Sequence, residues 1–332
     1  MNDGMDRGLR LDVTGSLGPA WNRMKLVLFQ PFQAGKWLAI GLMVFMEMLV
    51  QASGGNFNPG GSGRSGSSPG SGIGPSSPAE VADLIDQGFV WINDNLELVL
   101  GIGIPAVGLL ACLYVLLLWL SSRGMLMFIR AIARNDTNVG DNWRATRFLV
   151  GSLFKFRLVV QSITLLLVFG GLGALFYVLY RLLRRNETEW TAYVFELLPL
   201  ILTWFVLSLI PGLVSSLLRN FVAPMMLQFQ ESCSESFRRF VPVLKQSVGA
   251  VIIFLILRVL FQILFGFANM IVVLFTCCIG GLPILNQAIT APFHVFDRAW
   301  SMYALRSLGA DFDMFIEPEP PPPAQSWGMA PP

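Results

Sequence analysis

The chain has 332 residues, 54% hydrophobic and 13% charged, with a formal net charge of +2 and a mean hydropathy of +0.61. Soluble domains carry about 25% charged residues, so half that fraction, with 26 Phe and 9 Trp, excludes an ordinary water-solvated globule. The near-neutral charge gives no case for a nucleic-acid partner.

Residues 1–15 form a polar tail of mixed charge without the basic-then-apolar order of a cleaved signal peptide. An integral membrane domain is expected over 16–310. Crossing roughly 30 Å of hydrocarbon takes about 20 mostly apolar residues, and six stretches qualify, at 37–51, 96–120, 158–180, 195–218, 248–275 and 282–304. The first is short and borrows from its flanks. The expected fold is therefore all-α, a polytopic transmembrane bundle of about six spans. The ten-residue alternating segments of an outer-membrane barrel are missing. Pro105, Pro199, Pro211 and Pro292 fall inside spans, where neighbouring helices can satisfy the freed carbonyls.

Residues 53–78 are almost entirely Gly, Ser and Pro and read as a flexible outer loop. A helix is predicted to start after it, because Ser77-Pro78-Ala79-Glu80 combines a cap, proline at the first helical position and a glutamate. The last 22 residues, 311–332, are rich in proline and read as a disordered tail.

Lys and Arg set orientation. Eighteen of the 23 fall in the N-terminus, 123–157, 219–247 and the C-terminus, against four (Arg64, Arg181, Arg184 and Arg185) in the opposite loops. Both termini are therefore predicted to be cytoplasmic, at a bacterial inner membrane. The run Arg181, Arg184, Arg185 is the discordant feature. Basic, aromatic-led stretches open at Trp21, Trp143 and Phe237, each ahead of a pair of spans. They suggest three copies of a unit, an interfacial amphipathic helix followed by a helical hairpin, with arginines toward phosphate and aromatics toward acyl chains.

Chemistry is sparse. The lone His294 has no second ligand at metal-binding spacing, and nucleotide, dinucleotide, zinc-protease and serine-hydrolase signatures are missing. Cys112, Cys233 and the vicinal Cys277-Cys278 do not make a disulfide framework. No catalytic, cofactor-binding or metal residue is assigned, and no cofactor is expected. What remains is charge within spans, which is costly and usually paired. Glu47 lies about ten residues into the first span and Arg258 about ten into the fifth, with Gln262 one turn further on. Equal depth predicts a Glu47–Arg258 ion pair joining the two helices. Asn286, Gln287 and Thr290 are read as interhelical hydrogen-bonding groups.

A set of short motifs carries a family resemblance. It comprises Trp21, Leu28-Phe29-Gln30-Pro31-Phe32, Lys36-Trp37, Ser121-Ser122-Arg123-Gly124, Met127-Phe128, Trp143, Ser152-Leu153-Phe154, Cys277-Cys278, Leu282-Pro283, Pro292, Phe296, Arg298 and Leu308-Gly309. Together, over about 15–315, they resemble a large family of uncharacterised bacterial multi-pass membrane proteins. That family is distantly similar to the membrane domain of some glycerophosphoryl diester phosphodiesterases. The resemblance implies a topology and carries over no functional residue. The expected role is a non-enzymatic membrane protein that organises or supports envelope components. Its expected partners are the lipid bilayer and either another membrane protein or further copies of itself. The alternative is a transporter or channel.

Overall fold

The computed structural model describes residues 11–50, 78–185, 190–275 and 282–315. The outer loop, the Cys277-Cys278 pair, the N-terminal ten residues and the proline-rich end from 316 lie outside the described residues. Within them the chain is helical, with no strand. In chain order the helices are α1 (Leu17–Phe29), α2 (Ala34–Met48), α3 (Pro78–Asp94), α4 (Leu96–Arg134), α5 (Val139–Ala145), α6 (Arg147–Arg184), α7 (Trp190–Leu217), α8 (Ala223–Phe229), α9 (Cys233–Gln246), α10 (Val248–Phe275), α11 (Pro283–Ile289) and α12 (Ala291–Arg306).

Four helical stretches are long and apolar enough to cross a membrane: Leu96–Arg134, Arg147–Arg184, Tyr193–Phe229 and Val248–Val272. They contain four of the six expected spans. The other two take a different form. The α2 helix has 15 residues, a rise of about 22 Å. The stretch 282–304 is broken at Thr290 into α11 and α12, with Pro292 in the first turn of α12 instead of in mid-helix. The proline cannot donate to a preceding turn, so the break falls just ahead of it.

The long helices are buried mainly at one end, Leu182 of α6 being the buried exception at the other. No side chain of α4 from 96 to 117 is buried, whereas Leu118, Ser121 through Ile129 and Ala131 through Ala133 are. Against that second half packs α2. A Cβ on Gly124 would stand 2.6 Å from Met46 Cβ and 2.7 Å from the Glu47 nitrogen, so glycine is what lets the two backbones approach. Gly41 plays the same part against α11, where a Cβ would lie 2.8 Å from Ala288 Cα. Small residues at such crossings are how helices gain van der Waals contact in lipid.

The amphipathic stretches at Trp21, Trp143 and Phe237 enter α1, α5 and α9, but their apolar faces turn inward. Ala20, Met24, Val27 and Leu28 of α1 and Phe240 and Val243 of α9 belong to the core. Phe240 stacks on Phe221 with centroids 5.1 Å apart, and Phe254 lies 4.6 Å from Trp300. The expectation that these aromatics face acyl chains is corrected for Trp143, Phe237 and Phe240, which pack on the protein's own core. Trp21, Phe29 and Phe148 keep open faces, Phe148 at 90% exposure.

The discordant arginines at the far end of α6 have local counter-charges. Arg181 pairs with Glu196 at 2.7 Å, Arg185 approaches the same carboxylate at 3.9 Å, and Arg184 lies 3.5 Å from Asp86 of α3. Asp86 also accepts a hydrogen bond from the Tyr180 hydroxyl at 2.6 Å. With carboxylates beside them, these cations weigh less in a charge count than their number suggests.

Candidate functional site

At the buried end, seven helical elements converge on a network of charged and hydroxyl side chains. Its centre is Glu47, fully buried in the last turn of α2. The Oε1 atom accepts from Arg219 Nε at 2.8 Å and from Arg298 Nη2 of α12. Arg298 Nη1 donates in turn to the Arg219 carbonyl, closing a triangle between α2, α12 and the segment after α7.

That segment explains how Arg219 reaches the centre. Leu218–Val222 forms a single π-helical turn, in which the Ala223 N–H reaches back five residues to the Leu218 carbonyl. Pro224 lacks the N–H that an α-helix would give to the Asn220 carbonyl. The wider turn accommodates that missing bond, and all five of its residues, Arg219 included, are buried. Such bulges often sit at functional positions.

Beside the triangle is a second pair. Arg258 of α10 meets Asp297 of α12 through Nε and Nη2, both at 3.1 Å, and donates to Ser216 of α7 at 3.2 Å. The planar guanidinium and the carboxylate thus pair two atoms to two, the geometry in which arginine binds most strongly. The expected Glu47–Arg258 pair is therefore corrected. Both residues are buried and ion-paired, but Glu47 binds Arg219 and Arg298 while Arg258 binds Asp297. Counting depth along straight spans placed Arg258 correctly inside the bundle and could not show which helix faced it. Gln262, one turn on, is half-buried and stands outside these pairs.

A fourth arginine joins from α6. Arg157 donates from Nη1 to the hydroxyls of Ser121 at 3.2 Å and Ser122 at 3.1 Å, and from Nη2 to Ser121 at 3.2 Å. These serines are anchored in turn, Ser121 donating to the Glu47 carbonyl and Ser122 to the Leu118 carbonyl at 2.8 Å. The motif Ser121-Ser122-Arg123-Gly124 is thereby accounted for residue by residue. The two serines hold Arg157 and Gly124 admits α2. Arg123 lies 3.8 Å over the Trp143 ring and donates to the Trp143 carbonyl at 2.6 Å.

Elsewhere in the core, charge serves the backbone. Arg23 of α1 donates to the carbonyls of Ile132 at 2.8 and 3.0 Å and of Ala133 at 2.7 Å. It thus caps the negative end of α4, just before Asn135 turns left-handed at φ 51°. The expected interhelical role of Thr290 is also corrected, since its hydroxyl bonds back to Asn286 of the preceding turn at 2.8 Å. Asn286 Oδ1 and Gln287 Oε1 are buried and take no hydrogen-bond donor among the described residues. Cys233 is buried in α9, and burial pushes its thiol up to about 12, so it is no nucleophile at neutral pH. No group of three His, Cys, Asp or Glu residues suited to a metal occurs among the described residues.

Sequence reasoning found Glu47 and Arg258 and overlooked the functional weight of Arg157, Arg219, Asp297 and Arg298. The available signal was the adjacent pair Asp297-Arg298 inside the last apolar stretch. A carboxylate there needs a cation from another helix as much as Glu47 does.

Residues 11–291 match the model of a family of unknown function, DUF7544, and the chain belongs to that family. No curated protein and no solved structure matches it. The match ends at the first residue of α12, so Glu47, Arg157, Arg219 and Arg258 lie within the family region, while Asp297 and Arg298 follow it.

Proposed function

We propose that this chain is a non-enzymatic, multi-pass protein of the cell membrane, with both termini cytoplasmic, that organises or supports envelope components. The observation that carries the reading is the buried Glu47 carboxylate, shared by two arginines from two other elements. A charge spent in that way fixes three segments against one another, as a scaffold requires. The four long helices are its main crossing elements, and α2 and α11–α12 are the remaining two of six segments. A short amphipathic helix (α1, α5 or α9) ahead of each pair supports a threefold repeat. A second reading, as a transporter or channel, draws on Glu47 Oε2, which is buried without a hydrogen-bond donor among the described residues.

Crosslinking in native membranes followed by affinity capture of the full chain tests the scaffold reading. A stable stoichiometric membrane-protein partner is the expected result. Solute flux in proteoliposomes that Glu47→Gln abolishes would replace it with the transport reading. Cysteine labelling of intact cells at Ser67 and Asn138, in a chain lacking native cysteines, tests the orientation. Ser67 should label and Asn138 should not.

A further inference from the structure

We propose that Arg157 is a binding site for a phosphate group, held open by Ser121 and Ser122 at the junction between the buried and exposed halves of the molecule. Three observations meet there. The first is a counter-charge held at a distance: the Glu47 carboxylate acts on Arg157 electrostatically but forms no direct ion pair with it. Arg219, Arg258 and Arg298 each face a carboxylate, whereas among the described residues none lies within ion-pairing distance of Arg157. A guanidinium within an apolar helix is costly unless something anionic reaches it.

The second is its donor inventory. A guanidinium has five N–H donors. The three hydrogen bonds to the serine hydroxyls use both N–H groups of Nη1 and one of Nη2. Nε–H and the other Nη2–H remain, and these are the parallel fork that binds phosphate or carboxylate in bidentate fashion. The serine hydroxyls are neutral and cannot cancel the charge; each gives its own proton to a backbone carbonyl and accepts from the guanidinium. They fix the plane of the guanidinium and leave its recognition edge unspent.

The third is position. Buried Leu153 lies one turn before Arg157, and the next 24 residues of α6 contain no buried side chain. On α4 the same transition falls at Leu118, just before the two serines. Two helices thus reach the end of their apolar, exposed stretches at one level, where a bilayer would present its headgroup phosphates. Phosphate is the shared chemistry, and it can come from an anionic phospholipid or from solution.

The proposal does not rest on the scaffold reading. Its test uses the full chain in maltoside micelles, adding phosphatidylglycerol, inorganic phosphate, or, as a control, chloride at equal ionic strength. Bound lipid is read by native mass spectrometry and stabilisation by thermal unfolding. Phosphatidylglycerol should bind and raise the midpoint. Arg157→Gln should weaken this by about tenfold or more, the loss of one bidentate charge-assisted contact. Arg134→Gln, at an exposed side chain at the end of α4, should leave it unchanged. A matching response to inorganic phosphate, also lost in Arg157→Gln, assigns the site to free phosphate. A response to lipid alone assigns it to a headgroup. Should Arg157→Gln fail to fold, Arg157→Lys keeps the charge and removes the fork, and weakened binding is again expected. Failure of both probes to bind, or wild-type affinity in a folded Arg157 variant, overturns the proposal.

Discussion

The two halves of α4 share one helix and have opposite environments. From 96 to 117 the side chains are nearly all apolar, Glu97 in the first turn excepted, and none is buried; from 118 to 133 nearly all are buried, and serines and an arginine are among them. A water-soluble protein inverts that relation, hiding its apolar residues and exposing its polar ones. Here the apolar half faces outward because its solvent is hydrocarbon. The other half gathers polar groups inward because packing alone gives lipid-embedded helices little preference for one partner over another. The apolar half places the chain in the membrane, and the polar-cored half specifies how the helices are joined.

The sharpest way to break this comparison is to remove the centre of the polar half. Glu47→Leu strands Arg219 and Arg298, and losing one partner of a buried pair typically costs about 3–5 kcal/mol. We expect a loss of that size in unfolding measured in detergent, with Glu47→Leu/Arg298→Leu recovering part of it. Arg258→Leu should couple to Asp297→Leu and be additive with Glu47→Leu. Coupling between positions 258 and 47 would restore the pair expected from depth alone. Next in size is Leu109→Arg, at a side chain 72% exposed in the apolar half. A mid-span arginine costs about 2.5–3.5 kcal/mol of insertion, so the fraction of chain inserted should fall. Unchanged insertion would mean that this half does not face lipid.

How much of this was legible beforehand divides along the same line. The four long helices follow from hydropathy, since a lipid-facing stretch is continuous and needs no partner to be recognised. The helix start at Pro78 was equally local, written in a cap and a proline. The network was only half legible. Glu47 and Arg258 stood out because their surroundings are apolar, but Arg219 and Arg298 were counted as flanking cations that set orientation. Their true role depends on a π-helical turn and on the break at Thr290, both of which displace side chains from the positions a straight helix would assign. Partner choice is a property of tertiary contact, and no periodicity records it.

A smaller effect sharpens the contrast using glycine alone. Gly124→Ala places a methyl against Met46 and the Glu47 backbone, and overpacking of that kind costs about 1–3 kcal/mol. Gly108→Ala, in the exposed half of the same helix, meets nothing within 4 Å and should be neutral or slightly stabilising, since alanine is the better helix former. Equal melting of the two variants would show that α2 does not seat on α4 as described.

The smallest effect lies at the edge of the polar half, where α9 begins. Ser232 and Glu235 form a capping box. The Ser232 hydroxyl accepts from the Glu235 N–H at 3.4 Å, and Glu235 Oε2 accepts from the Ser232 N–H at 3.0 Å and from its hydroxyl at 2.6 Å. Hydrogen bonds from Ser232 hold the Glu235 carboxyl below its ordinary value. A depressed carboxylate contributes stability that is fully present above its unfolded pKa, about 4.3, and is lost as pH falls through the lower folded value. Ser232→Ala should cost about 1 kcal/mol at neutral pH, the usual worth of an N-cap. It should also flatten the part of the acid limb of stability that Glu235 contributes. Amide exchange in the first turn of α9, followed from pH 6 downward in both proteins, is the measurement. If wild type and variant lose protection in parallel across that window, Glu235 is not linked to folding, and α9 is held by the burial of Phe240 and Val243 alone.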